Sequence, residues 1–266
     1  LSRDTILVKA GLYKCNIDMF KKKVLIVSEM GAMKTILEPK SKYSPVIKFE
    51  NGETIESEIS GFMVRNANDA RGVSVNSSKG VVRNMIFTNC GKNMDGIVSN
   101  HWGGVSYENC LFVDNPGVVV NACYKDTNNN NGIVFNHCIF YNNGDFGREC
   151  SGAGPGKTQF YNCILWNNNK GVLNGDYWMQ YCSTDDTSYS KSKTNSRIEP
   201  KFKNPAAFDY SLLNSSELIG KGSNNIIKWG TRKLTNSIKD FDGKTRPNPI
   251  GSNPDLGAFE NSAAFP

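Results

Sequence analysis

Asn109-Cys-Leu-Phe-Val-Asp114 is one of four copies of a six-residue phrase in the middle of this chain. The other copies read Asn84-Met-Ile-Phe-Thr-Asn89, His137-Cys-Ile-Phe-Tyr-Asn142 and Asn162-Cys-Ile-Leu-Trp-Asn167. Subtraction of the first residue numbers (84, 109, 137 and 162) gives steps of 25, 28 and 25. An apolar phrase that recurs at a nearly constant spacing, is bounded by Asn and lacks a helical period predicts a solenoid of parallel strands.

Each turn of the predicted solenoid contains three short strands, and the repeated phrase forms the third. Two columns of amide side chains follow from this register. One closes the first strand, at Asn76, Asn100, Asn121 and Asn174, and the other marks the bend before the phrase, at Asn84, Asn109, His137 and Asn162. Amides at tight bends bond backbone groups and the amides of neighbouring turns, so we interpret both columns, with His137, as structural.

The cysteines follow the same repeat. Cys110, Cys138 and Cys163 occupy one position of successive turns, where Met85 stands one turn earlier. Stacked about 4.8 Å apart, they predict an interior ladder of buried free thiols. The remaining five cysteines lie off this ladder in the predicted register, and a bridge among them is left open: Cys15, Cys90, Cys123, Cys150 and Cys182.

Both faces of the third strand are apolar. Cysteine and phenylalanine alternate with a row of aliphatic residues, namely Ile86, Leu111, Ile139 and Ile164. We therefore expect the outer face to be covered, either by a loop or by the non-repeating C-terminal part of the chain.

Composition and charge narrow the class of protein. The 266 residues are 38% hydrophobic, which is too apolar for a disordered chain, and no stretch is long enough in apolar residues to span a bilayer. The net charge of +6 suits an anionic partner. The densest basic stretch, 191–203, lacks the interleaved aromatic residues of a base-stacking surface, so we expect no nucleic acid partner. The chain opens without Met or an apolar signal region, so we expect a mature chain whose export signal has been removed.

Three parts of the chain resemble the right-handed parallel β-helix proteins of the pectate-lyase-like superfamily. Asp4-Thr-Ile-Leu-Val-Lys-Ala-Gly-Leu-Tyr13 is similar to the family's first strand, and the Asn-Cys-Ile-Phe phrases are similar to its rungs. Ile198-Glu-Pro-Lys-Phe202, Asp240-Phe-Asp-Gly-Lys-Thr-Arg246 and Asp255-Leu-Gly-Ala-Phe-Glu260 are similar to its closing segment. The resemblance implies an all-β, single-stranded right-handed parallel β-helix, with coils in 1–182 and a loop and cap of the same domain in 183–266.

The resemblance also bears on function and location. Many members are secreted bacterial proteins that act on polysaccharides, so we expect a secreted or cell-surface monomer whose partner is an anionic polysaccharide. The acidic residues beside Arg246 are expected to form a closing network rather than an active site: Asp240, Asp242, Asp255 and Glu260.

Lyases of this superfamily use Lys or Arg as the base for β-elimination, with calcium or a second cation against the uronate carboxylate. The resemblance therefore indicates Lys125 or Arg148 as base, and His101 is a further acid/base candidate. Sugar-stacking aromatics are expected at Trp102, Tyr124, Tyr177 and Trp178, with Lys157 as a further substrate contact. Hard oxygen ligands for calcium are offered by Asp95, Asp145, Glu149 and Asp176.

Two other functions stay open on the sequence. A glycoside hydrolase needs two carboxylates across one bond, for which Asp145 with Glu149, or Asp176 with another acid, are candidates. A non-catalytic glycan-binding module is favoured by apolar residues predicted to point outward on the binding strand, at Val98, Val119 and Leu173. The fold alone does not choose among these.

Overall fold

The computed structural model describes residues 3–93, 96–123, 132–149, 158–169, 177–187, 193–225, 227–229, 232–234 and 237–263. Within these ranges, the side chains of 146, 148–149, 227–229 and 232–234 are not described. The described residues form a right-handed parallel β-helix whose turns pass through three sheets, here named A, B and C. No helix among them is long and apolar enough to cross a membrane.

The strands, numbered in chain order, stack one turn upon the next within each sheet. Sheet A contains β1 (Asp4–Val8), β4 (Val24–Ser28), β7 (Glu58–Ser60), β10 (Lys79–Arg83), β13 (Gly104–Glu108), β16 (Val134–Asn136), β19 (Gln159–Tyr161) and β21 (Trp178–Gln180). Sheet B contains β2 (Gly11–Cys15), β5 (Thr35–Pro39), β8 (Met63–Arg65), β11 (Ile86–Thr88), β14 (Leu111–Val113), β17 (Ile139–Tyr141), β20 (Ile164–Trp166) and β22 (Ser183–Thr184).

Sheet C contains β3 (Ile17–Asp18), β6 (Ile47–Phe49), β9 (Val73–Asn76), β12 (Val98–His101), β15 (Val118–Cys123) and β18 (Asp145–Glu149). The C-terminal part adds two antiparallel hairpins, β23 (Phe202–Asn204) with β24 (Asp209–Leu212), and β25 (Ile227–Trp229) with β26 (Arg232–Leu234). A single 3₁₀ turn, Pro205–Ala207, links the first pair.

The cysteine ladder is confirmed and is longer than predicted. The backbone N–H of Cys110 lies 3.4 Å from the sulfur of Cys138, and the N–H of Cys138 lies 3.4 Å from the sulfur of Cys163. Cys182 was placed off the ladder, which is wrong. Ile164 pairs with Ser183, so Cys182 stands beside Cys163 and continues the column, although the step between them is only 19 residues.

Aromatic rings form a second interior column. Phe112 stacks on Phe87 at 4.7 Å between ring centroids and on Phe140 at 4.8 Å, with planes only 6° and 4° apart. All three rings are fully buried. Stacking one turn apart gives the middle ring, Phe112, two parallel neighbours, which adds to the burial of apolar surface.

The bend between sheets A and B has the predicted column. Asn84, Asn109, His137 and Asn162 all have left-handed backbones with φ between 52° and 54°. Asn109 donates to the side-chain oxygen of Asn84 at 3.2 Å, and the Asn162 amide lies 3.1 Å from Nε2 of His137. Asparagine tolerates this conformation better than most residues and bonds its neighbours there, so the column is structural as predicted.

The other predicted column is wrong in register. Asn76 pairs with His101, Asn100 pairs with Val75 and Ala122, and Asn121 pairs with Ser99. These asparagines therefore stand at three different positions rather than one. The strands advance by 25 and then 22 residues (73 to 98 to 120), whereas the preceding glycines advance by 24 and then 21, so counting from glycine accumulates one residue of error per turn.

The outer face of sheet B is covered by the C-terminal part, as one of the two predicted alternatives required. Ile86, Leu111, Ile139 and Ile164 form a second apolar cluster, separate from the interior core. The covering residues come from beyond 200 and include Tyr210, Leu212, Leu218, Leu256, Ala258 and Phe259.

The closing network holds this cover in place. Arg246 donates to Glu260 at 2.7 Å and to the side-chain oxygen of Asn109 at 2.6 Å, so it joins the cover to the coil. Asp240 accepts from the backbone of Glu260, and Asp255 accepts from the backbones of Gly220 and Asn261. Asp242 is the exception to the predicted network, since its side chain is half exposed and pairs with Lys244 at 3.6 Å.

Candidate functional site

The outer face of sheet C carries a polar column that runs across five strands. Val73 and Val75 are core residues, so the residue between them, Ser74, lies on the outer face. Register then places the other members of this outer column beside it in succession: Lys48, Ser74, Ser99, Asn121 and the backbone of Arg148. No member of the column is apolar. At one end Lys48 pairs with the acidic Asp18 of β3, and in the middle the side chains of Ser74 and Ser99 are almost completely buried.

The predicted apolar outward positions are wrong where the structure describes them. Val98 pairs with Val73 and Val120, and all three belong to the interior core. Val119 is likewise fully buried in that core. Leu173 lies outside the described residues. The one-residue register error explains the mistake, because a shift of one position exchanges the two faces of a strand.

His101 ends β12 with an exposed side chain, beside Asn76 on one strand and Cys123 on the next. Lys125 lies outside the described residues, two positions after Cys123. Cys123 itself is disulfide-bonded, whereas the six other described cysteines are free. A bridge off the ladder, which the sequence left open, is therefore present.

His101 and Asp145 are far apart. Register pairs Val98 with Val120, and Val120 with Gly147. His101 follows Val98 by three residues and Asp145 precedes Gly147 by two, so they stand five residues apart along the strand direction, which is about 17 Å. They also lie two strands apart, which adds about 10 Å across the sheet. These two groups cannot act on one bond.

The predicted sugar-stacking aromatics divide into two kinds. Trp102 is 46% exposed, with a left-handed backbone just after β12, and Trp178 is 50% exposed. Trp178 lies on sheet A, where it pairs with Gln159, so the two indoles do not share one strand face. Tyr177 is 9% exposed and its ring packs against Phe160, so its predicted stacking role is wrong. Tyr124 and Lys157 lie outside the described residues.

Calcium ligation stays a prediction. Asp145 begins β18 with a partly exposed side chain, and Glu149 ends the same strand. Asp95 and Asp176 lie outside the described ranges. Within those ranges, no three His, Cys, Asp or Glu side chains are grouped closely enough to hold a metal ion.

A second surface was not predicted. At the bend between sheets B and C, a cavity of about 500 Å³ opens to solvent, and we name it the asparagine groove. Its lining is almost entirely amide and acid: Asn89, Asp114, Asn115, Pro116, Asn142, Asn143, Gly144, Asn167 and Asn169. The sequence signal is the doublet that follows each apolar step, Asp114-Asn115, Asn142-Asn143 and Asn167-Asn168.

The second residue of each doublet points into the coil. Asn115 donates to Asn143 at 2.8 Å, and Asn143 donates to Asn168 at 2.8 Å. The first residue of each doublet stays at the surface and lines the groove. The hydrogen-bonded ladder formed by the second residues therefore supports the surface row formed by the first residues, and it fixes the spacing of the side chains in that row.

Comparison with known proteins agrees with this architecture. The crystal structure of pectate lyase Pel9A is similar at 11% sequence identity with a TM-score of 0.44, over 97% of this chain and 88% of that chain. No curated protein matches the chain. Residues 40–181, which are 142 of the 266 residues, match the family model described as right handed beta helix region. The chain therefore belongs to the right-handed β-helix family.

Proposed function

We propose that the protein is a lyase that cleaves an acidic, uronate-containing polysaccharide by β-elimination. The observation that carries this proposal is the outer column of sheet C, which is polar and has the basic residues Lys48 and, in register, Arg148 among its members. The binding-module alternative drew its support from outward-facing Val98 and Val119, and both are buried. A polar strand face that includes Lys48 and Arg148 suits a carboxylate-bearing chain, and so does the net charge of +6.

The reaction removes the proton on the carbon next to the uronate carboxylate and breaks the bond to the leaving oxygen one carbon away. A carbon–carbon double bond forms between these two carbons, and the leaving oxygen takes up a proton. The step needs a base, a cation against the carboxylate and a proton donor.

The basic residues are assigned by how tightly they hold their protons. A guanidinium keeps its proton far more tightly than an ammonium, so we assign the base to Lys125 and carboxylate neutralisation to Arg148. His101, beside Cys123 in register, is the proton donor to the leaving oxygen. Calcium held by Asp95, Glu149 or Asp176 would supply further positive charge against the carboxylate, whereas Asp145 lies too far from His101 to serve the same sugar.

The hydrolase alternative has less support. Asp145 and Glu149 are four residues apart on one strand, so their backbones are about 13 Å apart. Inverting hydrolases hold their two carboxyl groups about 6.5–9.5 Å apart and retaining ones about 5 Å apart.

Action outside the cytoplasm belongs to the same proposal. The disulfide at Cys123 supports it, because disulfides persist mainly in oxidising compartments. Exposed Trp102 and Trp178 support contact with sugar rings, whether or not cleavage follows.

The proposal is tested by incubating the protein with polymers of galacturonate, mannuronate, guluronate and glucuronate. Growth of ultraviolet absorbance from the unsaturated product is the expected result. Lys125→Ala and Arg148→Ala should each lower the rate by roughly 100-fold. Lys203→Ala removes the same charge from an exposed C-terminal position and should leave the rate unchanged.

The other outcomes separate the alternatives. New reducing ends without absorbance would identify a hydrolase, and retention on insoluble acidic polysaccharide without any cleavage would identify a binding module. Either result overturns the lyase. Loss of activity with EDTA and recovery with Ca²⁺ would support the calcium proposal, whereas full activity in EDTA would remove calcium and keep the lyase.

A further inference from the structure

The asparagine groove has a regular wall. Its outer row begins one turn below the cavity and comprises Asn66, Asn89, Asp114, Asn142 and Asn167, all with left-handed backbones of φ 51° to 58°. Successive members are one turn apart, so the four that line the cavity span about 14 Å. Asn142 donates to Asp114 at 2.6 Å, and Asn89 donates to Asn66 at 2.6 Å.

Asp114 interrupts this chain of amides. A carboxylate has no N–H to give, so Asp114 does not donate to Asn89 as an asparagine would. Its second oxygen accepts from the hydroxyl of Tyr210 at 3.3 Å. The middle of the groove therefore presents adjacent acceptors, the Asn89 amide oxygen and the Asp114 carboxylate, to whatever lies in it.

The upper part of the groove presents donors as well. Each amide carries two N–H groups and an oxygen with two lone pairs, and the bonds of Asn142 and Asn167 use only part of this capacity. Asn169 adds a further exposed amide side chain. Mixed donors and acceptors at fixed spacing match sugar hydroxyl groups, which both donate and accept.

Charge decides which class of saccharide fits. None of the nine lining residues is basic, and Asp114 is acidic. A uronate carboxylate in this groove would face a like charge, and the nine described lining residues offer no cation to offset it. The groove thus differs from the outer column of sheet C, whose members include the basic residues Lys48 and Arg148.

The floor of the groove also depends on small residues. A Cβ on Gly144 would lie only 2.3 Å from the carbonyl oxygen of Pro116, so the backbones approach there as closely as glycine permits. The open volume above these two backbone segments therefore results from the conformation of the turn, which requires glycine at position 144.

We propose that the asparagine groove binds a short, uncharged oligosaccharide through hydrogen bonds to its hydroxyl groups. This site is independent of the proposed lyase cleft. It would hold an uncharged branch or segment of a polysaccharide while the outer column of sheet C faces acidic sugars.

The test is titration calorimetry on the full chain with uncharged tetrasaccharides of β-linked galactose, xylose or glucose, and with tetragalacturonate as the charged comparison. The double variant Asn142→Gly/Asn167→Gly removes two amides and keeps the left-handed backbones, which glycine adopts readily. The matched control is Asn84→Gly, which removes an amide with the same conformation from the bend between sheets A and B.

At least one uncharged tetrasaccharide should bind the native protein. The double variant should weaken that binding roughly tenfold or more, since each lost hydrogen bond contributes a few-fold, while Asn84→Gly should bind like the native protein. Thermal unfolding checks that all variants fold. The proposal is overturned if no uncharged sugar binds, if the double variant binds as the native protein does, or if tetragalacturonate depends equally on these two amides.

Discussion

The guanidinium of Arg246 lies 2.7 Å from the carboxylate of Glu260, and both side chains are completely buried. The same guanidinium reaches Asn109, 137 residues earlier, so one side chain joins the covering segment to the middle of the coil. A buried charge that loses its partner is far more costly than a broken surface pair.

Arg246→Met should therefore lower the free energy of unfolding by about 3–5 kcal/mol, because Glu260 would remain buried without a partner. Arg246→Met/Glu260→Gln should recover part of this loss, since position 260 no longer carries a buried charge without its cation. Urea denaturation of the two variants measures the difference. Equal stability of the single and double variants would contradict the argument.

The closing network should also make stability depend on pH. Burial raises the pKa of Glu260 to about 7 and that of Asp255 to about 6, and desolvation outweighs the attraction of Arg246 in both cases. In the unfolded chain these groups release their protons near pH 4. Between roughly pH 4 and 7 the folded state binds more protons, so their contribution to the free energy of unfolding falls as pH rises.

The check is to compare urea midpoints of the native protein and Glu260→Gln from pH 4 to 8. The native protein should lose stability relative to the variant as pH rises through this range, because the variant has no carboxyl to ionise at this position. A constant difference between the two across the range would show that Glu260 does not titrate there.

The interior thiols should be inert. Burial raises the pKa of Cys90 to about 12 and holds that of Cys138 well above its ordinary value. Thiolate is the reactive form and the reagent must also reach it. Alkylation of the folded protein should therefore spare both and, because the other ladder thiols are completely buried, label only the half-buried Cys15 among the free cysteines that the structure describes. Mass spectrometry before and after addition of urea reads this directly. Rapid labelling of Cys138 in the folded state would place it outside the core.

Truncation of a ring in the phenylalanine column should strongly destabilise the protein. Phe112→Ala removes the ring between Phe87 and Phe140 and should cost about 3–5 kcal/mol of unfolding free energy. Phe112→Leu keeps most of the volume, as the natural Leu165 does in the same column, and should cost less. Denaturant midpoints of both variants test this order, and equal losses would argue against a packing origin.

The repeated phrase was enough to predict the stacking of turns, because each turn of the solenoid places the same residue type at the same level. It did not predict Cys182 on the ladder, since the last step shortens to 19 residues. Val98 was misplaced because its exposure was judged from an assumed register, and Tyr177 was assigned to an exposed segment after a strand although its ring is buried. A single-residue shift in that register moves a side chain from the core to the surface.

The candidate sites were predicted less well than the fold. Register identifies the outer column of sheet C only after the strands are paired, since Lys48, Ser74 and Asn121 are of different residue types. The asparagine groove was not predicted although its doublets are visible in the sequence. The two residues of each doublet have different roles, since one points into the coil and the other lines the groove. The sequence alone does not distinguish the inner Asn143 from the surface Asn142, because both are asparagine.

The bond from Tyr210 to Asp114 has a consequence for biosynthesis. Coils can assemble one after another as they leave the ribosome. The outer face of sheet B, which carries Leu111 and Ile139, remains exposed to solvent until residues near 210 and 256 have been synthesised. Until then, the partly synthesised solenoid would expose this hydrophobic surface to other chains. The carboxylate in the middle of the groove would also lack its phenolic partner. Completion of the groove thus awaits the synthesis of Tyr210, which lies 96 residues after Asp114.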